Sequence, residues 1–295
     1  MMPGGREPNL SNPAASAVKK VEIGRHMHYK QRPPYRSDGG QPLSLKQDAL
    51  FRKIKRLTGK AIGDFGLIEE GDRIAVGVSG GKDSYTLLHI LDILRRRAPV
   101  KYELVAVNVD SGFPGYRREV LEEHLRSSGF EYRMQATECY RIIEEKRRPG
   151  SSYCSFCARL RRGVLYSVAD ELGCNKIALG HHLDDFIETL LLNQFYVGTL
   201  AAMSPKLAAD NGKHTVIRPL VYVEERDVIR FARSNEFPVI CCACPVCGQV
   251  DQKRKRMKSL IGELEKENPH LKRSMIGALG NVHPRHLMDP RLAPF

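Results

Sequence analysis

No stretch of this 295-residue chain approaches the run of roughly 18 apolar side chains that a membrane-spanning helix needs. The N-terminus has no short apolar core of the secretory-signal kind either. The expected compartment is therefore the cytoplasm, with no membrane partner. There, eight cysteines read as reduced, metal-bound or catalytic rather than disulfide-bonded. Acidic residues are scarce beside basic ones: 34 Asp and Glu against 47 Lys and Arg give a net charge of +13. That balance favours a polyanionic partner, because neutralising phosphates releases counterions; simple solubility explains it equally well. Tryptophan is absent, which excludes nothing, and no internal repeat is visible.

Residues 1–42 lack both cysteine and a sustained hydrophobic period, and are rich in Pro, Gly, Ser and Arg. They read as a disordered basic leader. Residues 45–68 place apolar side chains at helical spacing. From Arg73 the pattern alternates. Strands are expected over 73–78, 102–109, 131–135 and 176–179, and helices over 84–97, 117–128, 159–172 and 184–196. Such alternation predicts an α/β fold, a parallel sheet flanked by helices. With 42% hydrophobic residues spread along the chain, one core domain is expected over 43–240, followed over 241–295 by a Cys-rich segment and a basic helix, 252–267.

The segment Ser79-Gly80-Gly81-Lys82-Asp83-Ser84 falls between an expected strand and an expected helix. Glycines there let the backbone approach an anion, amides at the helix start face it, and Lys82 adds a charge. A Walker loop would need Gly at Val76 and Ser or Thr at Asp83, so this is a different phosphate loop. Asp110 ends the second strand, at the sheet edge where ligands of such folds collect, and is equally readable as a turn former before Ser-Gly. After the fourth strand, Gly180-His181-His182-Leu183-Asp184-Asp185 opens a helix. Asp184 and Asp185 are candidates to hold Mg²⁺ on the phosphates, with ordinary N-capping as the rival for Asp184. A His-x-x-Asp zinc site is a weaker reading, since two further ligands must come from elsewhere.

Cys154-Ser-Phe-Cys157 is a CxxC pair, and Cys241-Cys242-Ala-Cys244-Pro-Val-Cys247 contains another. Two such pairs permit a Cys₄ zinc site, while three-cysteine ligation of a [4Fe–4S] cluster would leave one iron open. Cys139 and Cys174 stand alone and read as buried hydrophobes.

The SGGKDS loop resembles the signature of the PP-loop ATP pyrophosphatase superfamily, with its adenine-nucleotide α-hydrolase-like Rossmannoid fold. Over roughly Leu45–Pro290 the chain is similar to the tRNA 2-thiocytidine synthetase family. The likeness is carried by SGGKDSYTLL, LVAVNVD, CSFCARLRRGVLY, IALGHHLDDFIETLLLNQFY, MSPKL, VIRPLVYV, CPVCG and NVHPRHLMD. It implies that Ser79–Ser84 cradle the triphosphate; from their place at the same sheet edge Asp110, Gly180, His181 and Asp184 are expected to join the ATP site, and Lys82, Arg161 and Asp185 are the candidate catalytic residues. It also implies a [4Fe–4S] cluster held by Cys154, Cys157 and Cys244, with Cys247 as the alternative third ligand because the downstream region is two residues longer than the family's spacing. The implied reaction is ATP-dependent thiolation of an anticodon-loop cytidine, tRNA position 32, through an adenylated base. Implied partners are tRNA and a cysteine desulfurase or other sulfur donor, with a homodimer as a candidate assembly.

Lys253–Arg256 and Lys258 lie beside the second cysteine cluster and are expected to contact phosphates; Arg95–Arg97 read as a solvated face, and Arg147–Arg148 form a further basic cluster. Phe156 is a candidate to stack on a base. The rival functions are another PP-loop tRNA-modifying enzyme, such as a 2-thiouridine synthetase, and a zinc-stabilised RNA-binding ATPase.

Overall fold

A computed structural model describes residues 48–147, 153–209, 212–246, 252–289 and 291–292. The leader, Arg148 and Cys247 lie outside them. Helix α1 (Ala49–Asp64) begins where Asp48 accepts the Phe51 amide at 2.8 Å. Its buried side chains Phe51, Ile54, Thr58 and Ala61 recur at helical spacing along one face. Then β1 (Arg73–Gly77), α2 (Lys82–Arg95), β2 (Glu103–Asp110), α3 (Arg118–Ser127), β3 (Tyr132–Ala136) and α4 (Cys139–Lys146) follow in turn. The long α5 (Tyr153–Glu171), β4 (Lys176–Ala178) and α6 (Leu183–Leu192) come next. The chain closes with β5 (Lys206–Ala208), β6 (Thr215–Ile217), α7 (Glu225–Ser234), α8 (Gln252–Glu267) and α9 (Leu271–Leu279).

The sheet order is β3-β2-β1-β4-β6-β5, parallel except for β5, which runs antiparallel to β6. The expected α/β sheet is thus present, with the β5–β6 hairpin, α4, α7 and α9 in addition. Strand alternation sorts the side chains onto two faces. Ile74, Val76, Leu104 and Ala106 pack with α1, α2 and α7, while Ala75, Val105, Val107 and Ile177 pack with α4 and α5. A third cluster joins Leu183, Ile187 and Leu191 of α6 to Met257 and Ile261 of α8. The order of strands reverses direction between β1 and β4. Loops leaving their C-terminal ends therefore splay apart and open a crevice, the usual ligand position in such sheets.

The expected helix over 184–196 ends early: α6 stops at Leu192 and a π-turn, Asn193–Val197, carries the chain to Gly198 at φ +75°. Gly198 ends the helical path because a left-handed residue breaks the hydrogen-bond ladder.

Candidate active site

The loop leaving β1 curls on itself. The Ser79 amide donates to Ser84 Oγ (3.2 Å), which in turn donates to the Gly81 carbonyl (2.9 Å). Gly81 caps α2 without a side-chain acceptor, so no cap side chain competes for the first-turn amides. Gly80 sits at φ +80°, and a Cβ there would lie 2.3 Å from Ile240 Cγ1. Ile240 also donates its amide to the Gly80 carbonyl at 3.0 Å, and Tyr85 donates its hydroxyl to the Pro238 carbonyl at 3.3 Å. The segment leading to the second cysteine cluster is therefore fastened to the phosphate loop. On the other side a Cβ at Gly180 would come within 3.0 Å of the Asp83 carbonyl, so only glycine lets the β4–α6 loop approach so closely.

Between these loops lies a cleft of about 400 Å³, within the ordinary range for small-molecule sites. Ser79, Asp83, Ser84, Arg161, Arg162, Gly180, His181 and Asp185 line it, over an apolar floor that includes Val107, Val109 and Leu165. Lys82 holds Asp83 at 2.9 Å and Glu225 at 3.2 Å. Burial opposes its charge, but these two carboxylates outweigh burial and its pKa ends above the ordinary lysine value. Glu225 is drawn down to about 2: burial works against this, and Lys258 and Lys82 overcome it. Burial, reinforced by Arg218, lowers His181 to about 4, so it faces the cleft as a neutral imidazole. Arg218 Nε approaches His181 Nδ1 at 3.3 Å, and its Nη1 donates to the Ser204 carbonyl at 2.5 Å. Asp185 accepts the His182 amide at 3.0 Å and faces Arg254 at 3.4 Å.

Two other expected site residues make contacts within the fold. Asp184 accepts the Glu225 amide at 2.6 Å and pairs with Lys272 at 2.9 Å, tying α6 to α7 and α9, and it does not line the cleft. Asp110 accepts the Gly112 amide at 2.9 Å, the turn-forming role, and likewise stays out of the lining.

A second cavity of about 170 Å³ adjoins the cleft, lined by Cys154, Cys157, Cys242 and Cys244 together with Tyr116, Tyr153 and Phe113. Ser79, Val109, Ala158 and Arg161 line both spaces and form their common wall. Arg161 Nε is buried with no hydrogen-bond partner among the described residues, an unsatisfied donor that an anionic ligand would complete. Burial raises the Cys157 thiol, and burial together with Cys242 pushes Cys244 up to about 11, so a metal must displace their protons on binding.

Thiolate donors suit iron–sulfur clusters and zinc alike. Four thiols line this one chamber, a donor set that agrees with a [4Fe–4S] group.

Cys154 and Cys157 were expected just before a helix, but α5 already starts at Tyr153 and the pair lies on its first turn. The missed signal is Tyr153, Phe156, Cys157, Leu160 and Val164, apolar at helical spacing and packed on one cluster. That packing also takes Phe156, the expected stacking residue, into the hydrophobic cluster. Cys241 is exposed and outside the cavity lining, while Cys242, 3.4 Å from Cys244, is part of it. Tyr116 was not anticipated. It receives a hydrogen bond from Asn108 at 2.8 Å and donates to the Ser79 carbonyl at 3.4 Å, bracing the common wall. Arg218 and Ile240 were also missed, since their roles depend on contacts remote in sequence.

The PP-loop domain family matches residues 47–240. A tRNA-cytidine(32) 2-sulfurtransferase of Syntrophotalea carbinolica is 71% identical over 253 residues, covering 86% of this chain and 98% of the relative. One from Geobacter sulfurreducens is 69% identical, covering 82% and 94%. Among solved structures, the U34-tRNA thiolase NcsA of Methanococcus maripaludis with its [4Fe–4S] cluster superposes with a TM-score of 0.64 at 24% identity, over 79% of this chain and 78% of that one, a likeness of fold.

Proposed function

Because the chain belongs to the PP-loop family of tRNA-cytidine(32) 2-sulfurtransferases, we propose that it replaces the C2 oxygen of that cytidine in tRNA with sulfur at the expense of ATP. The observation that carries the reading is the common wall of Ser79, Val109, Ala158 and Arg161 between a nucleotide-sized cleft and a chamber of thiols.

ATP is bound with its phosphates against Ser79–Ser84. Asp185 and Asp83, the two carboxylates of the cleft, are the residues that would hold Mg²⁺ on the phosphate oxygens, where it neutralises charge. The cytidine C2 oxygen attacks the α-phosphorus, pyrophosphate leaves, and the base carries an O-linked adenylate. Arg161 donates its free Nε–H to the phosphoryl oxygens as charge develops there, an interaction stronger in the transition state than in the ground state. Neutral His181 at the cleft wall adds no competing cation and is held in orientation by Arg218. Lys82 stays an ammonium and organises Asp83 and Glu225 at the helix start. A [4Fe–4S] cluster held by Cys154, Cys157 and Cys244, when bound, supplies an iron with an open position for inorganic sulfur. Tyr116 and Tyr153 line that chamber and limit water at the activated carbon. Sulfur attack at C2 expels AMP, which takes the former C2 oxygen with it. The sulfur enters at the sulfide level, either as free sulfide or as persulfide sulfur from a desulfurase that a thiol reductant has first reduced by two electrons.

Cys154→Ala tests the coupling. The expected result is loss of 2-thiocytidine from digested tRNA, with the ATP dissociation constant unchanged. Thiolation at the normal rate in that variant would overturn the reading.

A further inference from the structure

Beyond the cleft, the most unusual surface is the π-turn after α6. Phe195 is 58% exposed, Tyr196 42%, Val197 65% and Leu200 60%, four large apolar side chains within six residues. Isolated exposed apolar residues need no explanation, but a contiguous group marks an interaction site. π-turns inside helical segments recur at functional sites. Phe195 and Tyr196 border a groove of about 560 Å³ whose other wall is α8, through Arg256, Leu260 and Glu263. Lys253 Nζ stands 4.7 Å from the centroid of the Tyr196 ring. Lys253, Lys255, Arg256 and Lys258 are all exposed on that helix, with Arg256 in the groove wall and Lys253 over the Tyr196 ring. Glu263, which accepts from Ser259 Oγ at 3.2 Å, is the one carboxylate in the lining.

The patch is rigidly linked to the cleft. Asn193 Nδ2 donates to the Ala201 carbonyl at 2.8 Å, closing the loop that carries the patch. The chain then reaches Ser204, which Arg218 holds while its Nε meets His181 on the cleft wall. On the other side, Arg254 of α8 reaches Asp185 at 3.4 Å and Glu188 at 3.2 Å, and Lys258 pairs with Glu225. One basic helix thus runs between the nucleotide cleft and the aromatic groove.

We propose that this groove is a platform for unpaired RNA, where Tyr196 and Phe195 stack on an unstacked base while Lys255 and Arg256 neutralise its flanking phosphates. Aromatic faces accept any base, and adjacent cations follow the backbone, which is the general chemistry of single-stranded nucleic-acid sites. A second protein chain is the competing occupant of an apolar patch, but Arg256 in the groove wall, Lys253 over the Tyr196 ring and exposed Lys255 on the same helix favour a phosphate polymer. The inference rests on the tRNA reading above and adds where the substrate's unpaired loop is gripped.

The test uses the full-length protein and an unmodified tRNA transcript, with 2-aminopurine placed at successive anticodon-loop positions. Phe195→Ala/Tyr196→Ala is expected to weaken tRNA binding about tenfold or more and to abolish the 2-aminopurine quenching at one loop position. ATP affinity, a control for folding, stays unchanged, and Tyr196→Phe restores the quenching. Arg256→Glu is expected to lower the slope of log Kd against log salt by about one, whereas Arg97→Glu, on a remote exposed turn, leaves tRNA affinity within a factor of two to three. If both groove variants bind tRNA as the wild type does, the platform is overturned while the thiolation reading survives. If the double variant shifts a dimer to a monomer with tRNA affinity per protomer unchanged, the groove is a protein interface and the proposal falls. If wild-type protein binds no tRNA, the functional reading fails first and takes this inference with it.

Discussion

Replacing Gly80 with alanine should uncouple the phosphate loop from the segment that carries the second cysteine cluster. The residue sits at φ +80°, where an L side chain costs about 1–2 kcal/mol. The new Cβ would meet Ile240 Cγ1 at 2.3 Å and Cδ1 at 2.7 Å, far inside contact distance, so Ile240 has to move. Overpacking of this kind costs about 1–3 kcal/mol, and displacing Ile240 also strains its 3.0 Å amide bond to the Gly80 carbonyl, worth about 1 kcal/mol. The expected loss is on the order of 3–6 kcal/mol, seen as a fall in Tm and in ATP affinity. Gly81→Ala is the control, since that residue has φ −86° and its nearest neighbour, Ser79 Oγ, is 3.4 Å away. Trimming Ile240 to alanine in the Gly80→Ala background should recover the overpacking part and leave the backbone part. A double-mutant cycle by urea denaturation should therefore give a coupling of about 1–3 kcal/mol. Equal, mild effects of Gly80→Ala and Gly81→Ala, or zero coupling with Ile240, would refute the reasoning.

Acidification should destabilise the protein through the buried His89–His124 pair, whose Nε2 atoms are 3.0 Å apart. Burial lowers His124 to about 4 and, together with His124, lowers His89 too, so the unfolded chain binds more protons below its ordinary pKa near 6.5. Stability is complete above about pH 6.5 and falls as pH drops toward 4, by about 3 kcal/mol from His124 alone; His124→Phe should flatten that slope in urea melts. Lys176→Met should cost about 3–5 kcal/mol, because it leaves Asp72, 2.7 Å away and 3% exposed, as a buried charge without its cation. That pair sits at the opposite edge of the sheet, so ATP affinity of the folded fraction should not change. Arg161→Ala should lower the rate of pyrophosphate release about 10²- to 10³-fold in single-turnover assays while ATP affinity changes far less. An effect confined to ATP affinity would mean that Arg161 merely binds ground-state phosphate.

The central sheet was legible because its strands are buried on both faces and its connections alternate regularly. The run 73–78 and the SGGKDS string after it need no tertiary information to be read as strand, loop and helix start. Gly180 and the Asp-Asp pair were legible as a loop, but not the division of labour between Asp184 and Asp185. That depended on the Glu225 amide and Lys272, contacts 41 and 88 positions away along the chain. The cysteines announced their chemistry by type and spacing. Their shared chamber depends on how Ile240 docks on Gly80 and how α5 packs, and neither leaves a local trace. The short strands β5 and β6, three residues each, carry too few side chains to show a period.

The central claim is that the base is activated at its C2 oxygen before sulfur arrives, and an isotope tracer tests it most directly. A tRNA carrying heavy oxygen at C2 of the target cytidine is taken through one turnover with ATP and sulfide under anaerobic conditions. The mechanism predicts one labelled AMP and one pyrophosphate for every 2-thiocytidine formed. Unlabelled AMP, or ADP and phosphate in place of AMP and pyrophosphate, would contradict it.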